Sequence, residues 1–406
     1  MRKIAVVGVG KLGLSLAQVA ASHGWKVCIA DVDEERLRQA APEIARGLVH
    51  LLETGWIDRD RYENARENIH ICDIHEIKET ADVEVAVEAV QEDLPVKRQV
   101  LADLDASTPT PVLLATTVAL LSVTDIAARL GDPSRVVGMH FPHPSTGVEL
   151  VEVVAGKRSD KSRVDSAVRV ARGWGMTPVV VQDAPGFIVN RLSQAFILEA
   201  LRLLDEGVGA INEIDAVMCT HGKFETGPFR LLDEEGLDIS LAVGTSIWER
   251  MGRPAGLAPH ASQKRLVAMG YSGRSSGRGF YSYEYEAPVP ALPVDRKSFE
   301  LSPLLSDAML NFSVKAGAAT AGSTEQYIFC RILGTVINEA GRIYDEDVAR
   351  PGDIDLAMAK GMKFPKGPLE WADEIGHRTV RGTLKALNSG MTDERFAPAP
   401  LFANAD

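Results

Sequence analysis

The stretch GMHFPHPSTGVELVEV, residues 138–153, carries two histidines three residues apart, followed by two glutamates. Histidine titrates near neutral pH, and a neighbouring carboxylate orients its ring and stabilises its charged form. The stretch therefore indicates a catalytic pair of histidine and glutamate, a metal site, or a loop that ends a strand. Pro142 and Pro144 flank His143 and hold it away from His140, and no third ligand lies nearby in the sequence, so a metal site is not predicted.

A glycine-rich turn near the start of the chain indicates a site for a dinucleotide. Residues 4–7 form a short apolar run typical of a buried strand, which leads into GVGKLG and then into a helical pattern. Gly8 permits the tight turn, Gly10 lets backbone amides approach a pyrophosphate, and Gly13 lets the helix pack against the strand.

A carboxylate at the end of the next apolar run predicts which dinucleotide binds. Residues 27–30 form this second run, and Asp31 follows it directly. A carboxylate there accepts hydrogen bonds from both ribose hydroxyls and repels a 2'-phosphate, so the predicted cofactor is NAD rather than NADP.

The remaining patterns place these residues in an α/β domain. Further strands are predicted at 83–90, 112–116, 136–140 and 178–181, with an amphipathic helix before the last. Alternating strands and helices up to residue 183 predict a Rossmann-type, doubly wound sheet, with ligand chemistry at the carboxyl ends of its strands.

The second half of the chain contains an internal repeat. Residues 185–236 align with 325–376 at a constant offset of 140, without a gap and with 19 of 52 positions identical. Such self-similarity predicts a tandem duplication of an all-α module. The predicted domains are therefore an NAD-binding domain at 1–183, helical modules at 184–284 and 325–406, and a linker at 285–324.

The two copies differ at a position suited to substrate binding. Asn190 in the first copy is replaced by Cys330 in the second, and only an amide side chain donates readily to a carbonyl. The sequence therefore predicts a substrate role for the first copy and a packing role for the second.

Composition excludes several classes of partner. A net charge of -12 and a pI near 5.3 argue against nucleic acid. The four cysteines form no C-x-x-C motif, which is typical of a reducing compartment and predicts a cytoplasmic protein without structural zinc. No segment reaches the roughly 18 apolar residues of a membrane span, and Lys11 interrupts the first apolar run, so we expect no membrane partner.

Several ordered motifs give the chain a resemblance to a known family. With GVGKLG, VEAVQEDLPVK, GMHF, LVEV, DAPGFIVNRL and GPFRLLDEEGLD, it resembles the L-3-hydroxyacyl-CoA dehydrogenases. The likeness covers residues 1 to about 285, and the second module resembles the extra carboxy-terminal copy of duplicated members and multifunctional fatty-acid oxidation enzymes. It implies NAD-dependent oxidation of a short-chain, 3-hydroxybutyryl-CoA-like substrate to the 3-ketoacyl-CoA, or the reverse. Since the family's helical domain carries dimer contacts, monomer and homodimer both stay open.

The resemblance also implies roles for individual side chains. His140 is expected to be the general base that takes the proton of the 3-hydroxyl, and Glu152 is expected to hold and charge-balance its imidazole. Asn190 is expected to bind the thioester carbonyl, while Glu92 and Lys97 fall where the family contacts the nicotinamide ribose and its surroundings.

Two departures from the family pattern affect the reacting end of the substrate. The family's S-N-T-S-S-L is TTVALL here, so Ala119 replaces the serine that hydrogen-bonds the substrate hydroxyl. The family's H-F-F-N-P is HFPHP, which introduces His143.

Three hypotheses follow from these departures. The enzyme acts on an L-3-hydroxyacyl thioester with Thr116 or Thr117 donating the missing hydrogen bond, or it acts on another 3-hydroxy substrate, such as a carrier-protein thioester or a free hydroxy acid, that pairs with His143. The third hypothesis is an NAD-binding relative without activity, against which the retention of His140 and Asn190 counts.

Overall fold

The computed structural model describes residues 2–72, 83–109, 112–142, 149–298, 300–390 and 393–404. The chain divides into two compact units, Met1–Ala184 and Pro185–Asp406.

Within its described residues, the first unit contains one eight-stranded sheet in the order β3-β2-β1-β4-β5-β6-β7-β8. The strands are β1 Lys3–Val7, β2 Lys26–Ala30, β3 Ile69–Ile71, β4 Val83–Glu88, β5 Leu113–Thr117, β6 Val136–His140, β7 Leu150–Ala155 and β8 Thr177–Gln182. Neighbouring strands are parallel except for β6 and β7, which are antiparallel. The predicted Rossmann-type fold is confirmed, although the sequence patterns did not predict β3 or β7.

Helices connect the strands and cover the sheet. They are α1 Lys11–Ser22, α2 Glu34–Glu53, α3 Arg59–Asn68, α4 Leu94–Ser107, α5 Val123–Ala127 and α6 Lys161–Gly173. Leu16, Ala17 and Ala20 on α1 are fully buried, because the helix that follows the glycine turn packs its apolar side onto the strands. Asp33 and Asp93 begin α2 and α4 by accepting hydrogen bonds from free backbone N–H groups of the first turn.

In its described residues, the second unit is mostly helical and contains a short antiparallel pair of strands. Its helices are α7 Val189–Asp205, α8 Ile211–His221, α9 Pro228–Glu235, α10 Leu237–Arg250, α11 Ala261–Ala268, α12 Pro303–Lys315, α13 Ser323–Asp345, α14 Pro351–Gly361, α15 Pro368–Ile375, α16 His377–Asn388 and α17 Pro400–Ala403. The strands are β9 Tyr281–Ser282 and β10 Val289–Pro290.

The structure repeats at the offset of 140 seen in the sequence. Helices α8 and α9 reappear with the same bounds as α14 and α15. In the first copy, the carboxylate of Asp215 accepts hydrogen bonds from two backbone N–H groups at the start of α9, at 2.9 and 3.1 Å. Asp355 holds the start of α15 in the same way, at 2.8 and 3.1 Å. Each copy therefore fixes its Gly-Pro helix start with one buried or half-buried carboxylate.

The two copies are joined by reciprocal ion pairs between the longest helices. One fully buried arginine of each copy forms ion pairs with two glutamates of the other copy. Arg191 pairs with Glu339 and Glu346, and Arg331 pairs with Glu199 and Glu206. At the offset of 140, the pair of Arg191 with Glu339 is equivalent to the pair of Arg331 with Glu199. The two pairs with Glu346 and Glu206 are equivalent in the same way. This is the pattern of a self-complementary, isologous interface.

Helix α12, from the predicted linker, covers the second copy. It packs against α13, α15 and α16. Fully buried Cys330 lies with its sulfur 3.4 Å from the Ser313 hydroxyl and 3.6 Å from the Met309 carbonyl oxygen, both on α12. Burial raises the pKa of the Cys330 thiol to about 12, so it stays a neutral packing group. These contacts support the predicted packing role of the second copy.

One pair of cysteines is bonded across the sheet edge. Cys28, in β2, and Cys72, after β3, form a disulfide with their Cα atoms 5.7 Å apart. The sequence spacing gave no indication of this pair. Among the helices of the described residues, none is long and apolar enough to cross a membrane.

Candidate active site

His140 and Glu152 face each other across two antiparallel strands. They occupy opposed positions of the β6 and β7 register. Opposed residues in an antiparallel pair project to the same face of the sheet, so their side chains meet. The His140 Nδ1 lies 2.6 Å from a carboxylate oxygen of Glu152, and both side chains are buried. Because Nδ1 is engaged by the carboxylate, Nε2 is the ring nitrogen suited to exchange a proton with a substrate.

A buried lysine ties the ends of β4 and β5 together. The Lys97 ammonium donates to Glu88 at 3.0 Å and to the Thr117 carbonyl oxygen at 2.6 Å. The Thr116 hydroxyl donates to the same Glu88 carboxylate at 2.6 Å. Burial raises the pKa of Glu88, and the attraction of Lys97 opposes that shift. Since the Thr116 hydroxyl is engaged by Glu88, Thr117 is the better candidate to donate to a substrate.

Glu92 holds the loop that follows β5. One of its carboxylate oxygens accepts hydrogen bonds from the backbone N–H groups of residues 119, 120 and 121, at 2.9, 2.8 and 3.1 Å. Its other oxygen lies 3.5 Å from the Lys97 ammonium. Glu92 and Lys97 therefore position the loop that carries Ala119, and their predicted role beside the cofactor stays a prediction.

Sequence reasoning missed Glu88. The sequence feature that could have indicated it is an acidic residue at the end of β4, directly after the apolar run 85–87. A carboxylate that is fully buried requires a partner, and the lysine nine residues later provides it.

The glycine turn fits a bound pyrophosphate. A Cβ atom on Gly8 would collide with the Ala89 carbonyl oxygen, and one on Gly13 would collide with the Gly8 carbonyl oxygen. A Cβ on Gly10 would meet no atom within 4 Å. Close packing thus requires two of the glycines, whereas the space beside Gly10 is open, as backbone contact with a phosphate requires.

Asp31 lies at the carboxyl end of β2, beside the glycine turn. One carboxylate oxygen accepts a hydrogen bond from the Val9 N–H at 2.8 Å, and the other accepts from the Asp33 N–H at 3.0 Å. The residues that would hold NAD are therefore Gly8, Gly10 and Gly13 around the pyrophosphate and Asp31 at a ribose, and this arrangement fits the cofactor.

Two alanine variants separate the roles of the glycines. Gly10→Ala should leave the unfolding free energy nearly unchanged but raise the Kd for NAD by about tenfold or more, because a methyl group would enter the open space. Gly13→Ala should lower the unfolding free energy by about 1–3 kcal/mol, because its Cβ is overpacked. Calorimetric NAD titration and urea unfolding of both variants measure the two effects, and equal stability losses would contradict this assignment.

The other predicted residues lie elsewhere in the chain. Asn190, the second residue of α7, is half-buried in the second unit. His143 lies outside the described residues. In the described part of the first and second units, no three His, Cys, Asp or Glu side chains are grouped as metal ligands.

Comparison with known proteins identifies both units. Residues 3–184 match the NAD-binding domain of 3-hydroxyacyl-CoA dehydrogenase. Residues 186–283 and again 327–405 match the C-terminal domain of the same family, which also supports the internal repeat.

Individual relatives extend over nearly the whole chain. A curated Escherichia coli K12 protein, named 3-hydroxyadipyl-CoA dehydrogenase, is 30% identical over 99% of this chain and 96% of its own length. The crystal structure of a 3-hydroxybutyryl-CoA dehydrogenase from E. coli K12 has a TM-score of 0.85 and 28% identity, and the match covers 99% of this chain and 97% of that one.

A shorter relative matches only part of the chain. The (S)-3-hydroxybutyryl-CoA dehydrogenase of Ralstonia eutropha has a TM-score of 0.66 and 29% identity, and all of it matches 70% of this chain. The chain therefore belongs to the 3-hydroxyacyl-CoA dehydrogenase family and is an NAD-dependent oxidoreductase.

Proposed function

We propose that His140 and Glu152 carry out the oxidation of the 3-hydroxyl of a short-chain L-3-hydroxyacyl-CoA, or the reverse reduction. The observation that supports this most strongly is the buried His140–Glu152 pair, 2.6 Å apart at the carboxyl end of β6. Ligand chemistry in open α/β sheets takes place at the carboxyl ends of the strands. When bound, NAD supplies the acceptor for the hydride that leaves C3.

His140 moves the proton in this proposal. Nε2 accepts the proton of the 3-hydroxyl, and the resulting imidazolium is stabilised by Glu152 through Nδ1. The carboxylate also fixes the tautomer, because Nδ1 carries the proton that points at Glu152. Reduction of the ketone runs the same transfer backwards, with the imidazolium donating the proton.

Other side chains position the substrate. Asn190 donates to the thioester carbonyl, and Thr117 donates to the oxygen at C3 in place of the serine that Ala119 replaces. Glu88, Lys97 and Glu92 act through the loop they hold and need not touch the substrate.

The partner is an acyl-CoA, with an acyl-carrier thioester as the second candidate. The names of two relatives favour coenzyme A, since one is a 3-hydroxyadipyl-CoA and the other a 3-hydroxybutyryl-CoA dehydrogenase. The reciprocal ion pairs of the helical copies support a monomer over a homodimer, a distinction that sedimentation equilibrium measures directly. The cytoplasmic location stays a prediction.

A panel of substrates tests the proposed function. We expect NADH to appear with L-3-hydroxyacyl-CoA esters and not with their D isomers. If turnover is restricted to free hydroxy acids or to carrier-protein thioesters, that class and not the acyl-CoA is the substrate. An enzyme that binds NAD but oxidises no member of the panel would contradict the proposal.

Ala119→Ser tests the departure from the family pattern. The serine hydroxyl adds a second donor beside that of Thr117, and one hydrogen bond contributes about 1–1.5 kcal/mol, so kcat/KM for 3-hydroxybutyryl-CoA should rise by about five- to tenfold. Steady-state NADH formation measures the change. A decrease in a variant that unfolds at the wild-type temperature would mean that the site is built around alanine.

A further inference from the structure

The two helical copies differ in polarity at three equivalent positions. Asn190, Ser193 and Glu235 of the first copy correspond, at the offset of 140, to Cys330, Leu333 and Ile375 of the second. In the second copy all three are fully buried, on helices against which α12 packs. The first copy therefore carries polar groups where its duplicate, which only packs, carries sulfur or hydrocarbon.

Two of these polar residues are paired with each other. The Ser193 hydroxyl lies 3.5 Å from a carboxylate oxygen of Glu235, and the partly buried Glu235 ends α9, which packs on α7. Ser193 follows Asn190 by three residues on α7, so the two lie on the same face and about 4.5 Å apart along the helix axis. The pair thus lies close to the residue proposed to hold the thioester carbonyl.

Burial and a neighbouring carboxylate both favour the protonated form of Glu235. Burial raises the pKa of the Glu235 carboxyl to about 7, Ser193 lowers it, and neighbouring Glu234 raises it further. A carboxyl with this pKa is protonated in much of the population at neutral pH and can donate a hydrogen bond. A second carboxylate placed against it would share that proton, as paired carboxyl groups do.

We propose that Ser193 and Glu235 select an acyl chain that ends in a carboxyl group over one that ends in a methyl group. Glu235 donates its proton to the terminal carboxylate, and Ser193 orients the Glu235 carboxyl. The inference rests on the proposed function, because it uses Asn190 as the position of the thioester carbonyl.

Three six-carbon thioesters test the inference. They are the L-3-hydroxyacyl-CoA esters whose chain ends in a methyl, a hydroxyl or a carboxyl group, compared by kcat/KM and by calorimetric binding to the enzyme with NADH. The wild type should favour the carboxyl-ended ester. Glu235→Ile, which installs the residue of the second copy, should shift the preference toward the methyl-ended ester by about tenfold or more, the loss of a hydrogen bond to a charged group.

Matched variants separate this role from a general effect. Glu234→Gln removes a charge that raises the pKa of Glu235 from the neighbouring, half-exposed position, and it should weaken the preference far less than Glu235→Ile. Ser193→Leu should weaken the preference in the same direction as Glu235→Ile. An unchanged ratio in Glu235→Ile, or a wild type that favours the hydroxyl-ended or methyl-ended ester, would overturn the inference alone. Failure of all three esters to bind or turn over would overturn the proposed function with it.

Discussion

His140→Gln should lower kcat by about 10²- to 10⁴-fold, while the enzyme keeps its affinity for NAD. Glutamine is polar and of similar reach, but it cannot accept the proton that alcohol oxidation releases, and general base catalysis contributes rate factors of this size. His140 is the last residue of a buried strand, so a polar replacement that still reaches Glu152 should keep the domain folded. Steady-state NADH formation gives kcat, and quenching of tryptophan fluorescence gives the Kd for NAD.

Glu152→Gln is the companion variant for this prediction. It keeps a side chain at the opposed register position but removes the charge that stabilises the imidazolium. Its kcat should fall by less than that of His140→Gln, because the imidazole that accepts the proton is still present and only the stabilisation of the imidazolium is lost. Turnover in His140→Gln near the wild-type rate would remove His140 from the mechanism.

Arg191→Met should lower the free energy of unfolding by about 3–5 kcal/mol. The arginine is fully buried, and its removal leaves buried Glu339 with Arg342 as its cation, at 3.1 Å. A buried carboxylate that loses a partner keeps its desolvation cost without the compensating attraction. Urea unfolding followed by circular dichroism measures the loss.

Two further arginine variants calibrate this result. Arg331→Met should cost less than Arg191→Met, because Glu199 keeps both Arg202 and Arg395, each at 3.2 Å. Arg296→Met removes an exposed ion pair with Glu213 and should cost less than about 1 kcal/mol. Similar small losses in all three variants would show that the reciprocal pairs do not hold the two copies together.

The residues of the nucleotide site follow from local sequence. An apolar strand, spaced glycines and a helix are adjacent along the chain, so their pattern predicts both the turn and the position of Asp31. The structure adds the reason for each glycine. At Gly8 and Gly13 a Cβ atom would collide with a neighbouring carbonyl oxygen, whereas at Gly10 it would meet no atom. Those contacts join separate elements, which no local pattern encodes.

Strand β7 shows where sequence patterns fail. Its run LVEVVA is interrupted by Glu152, a charged residue in a strand whose first five residues are buried. Patterns of hydrophobicity fail most readily at functional positions, because function places polar groups where packing alone would not. His140 and Glu152 lie opposite each other because β6 and β7 pair antiparallel. The sequence patterns predict neither β7 nor this pairing.

The repeat was visible in the sequence, but its consequence was not. Arginine occupies both position 191 and position 331, which are equivalent at the offset of 140. The sequence did not predict that each arginine reaches the glutamates of the other copy, because pairing within a copy satisfies the same pattern. The packing of α12 over Cys330 also required the structure, since the sequence predicts only a linker at 285–324.

Transfer of deuterium from C3 tests the central claim most directly. An L-3-hydroxyacyl-CoA that carries deuterium at C3 is oxidised by the wild type in the presence of NAD, and mass spectrometry locates the label. We expect the deuterium on the nicotinamide ring of the reduced cofactor, and we expect His140→Gln to form little of this product. Deuterium released to water, or retained at C3 while NAD stays oxidised, would contradict hydride transfer from a 3-hydroxyl deprotonated by His140.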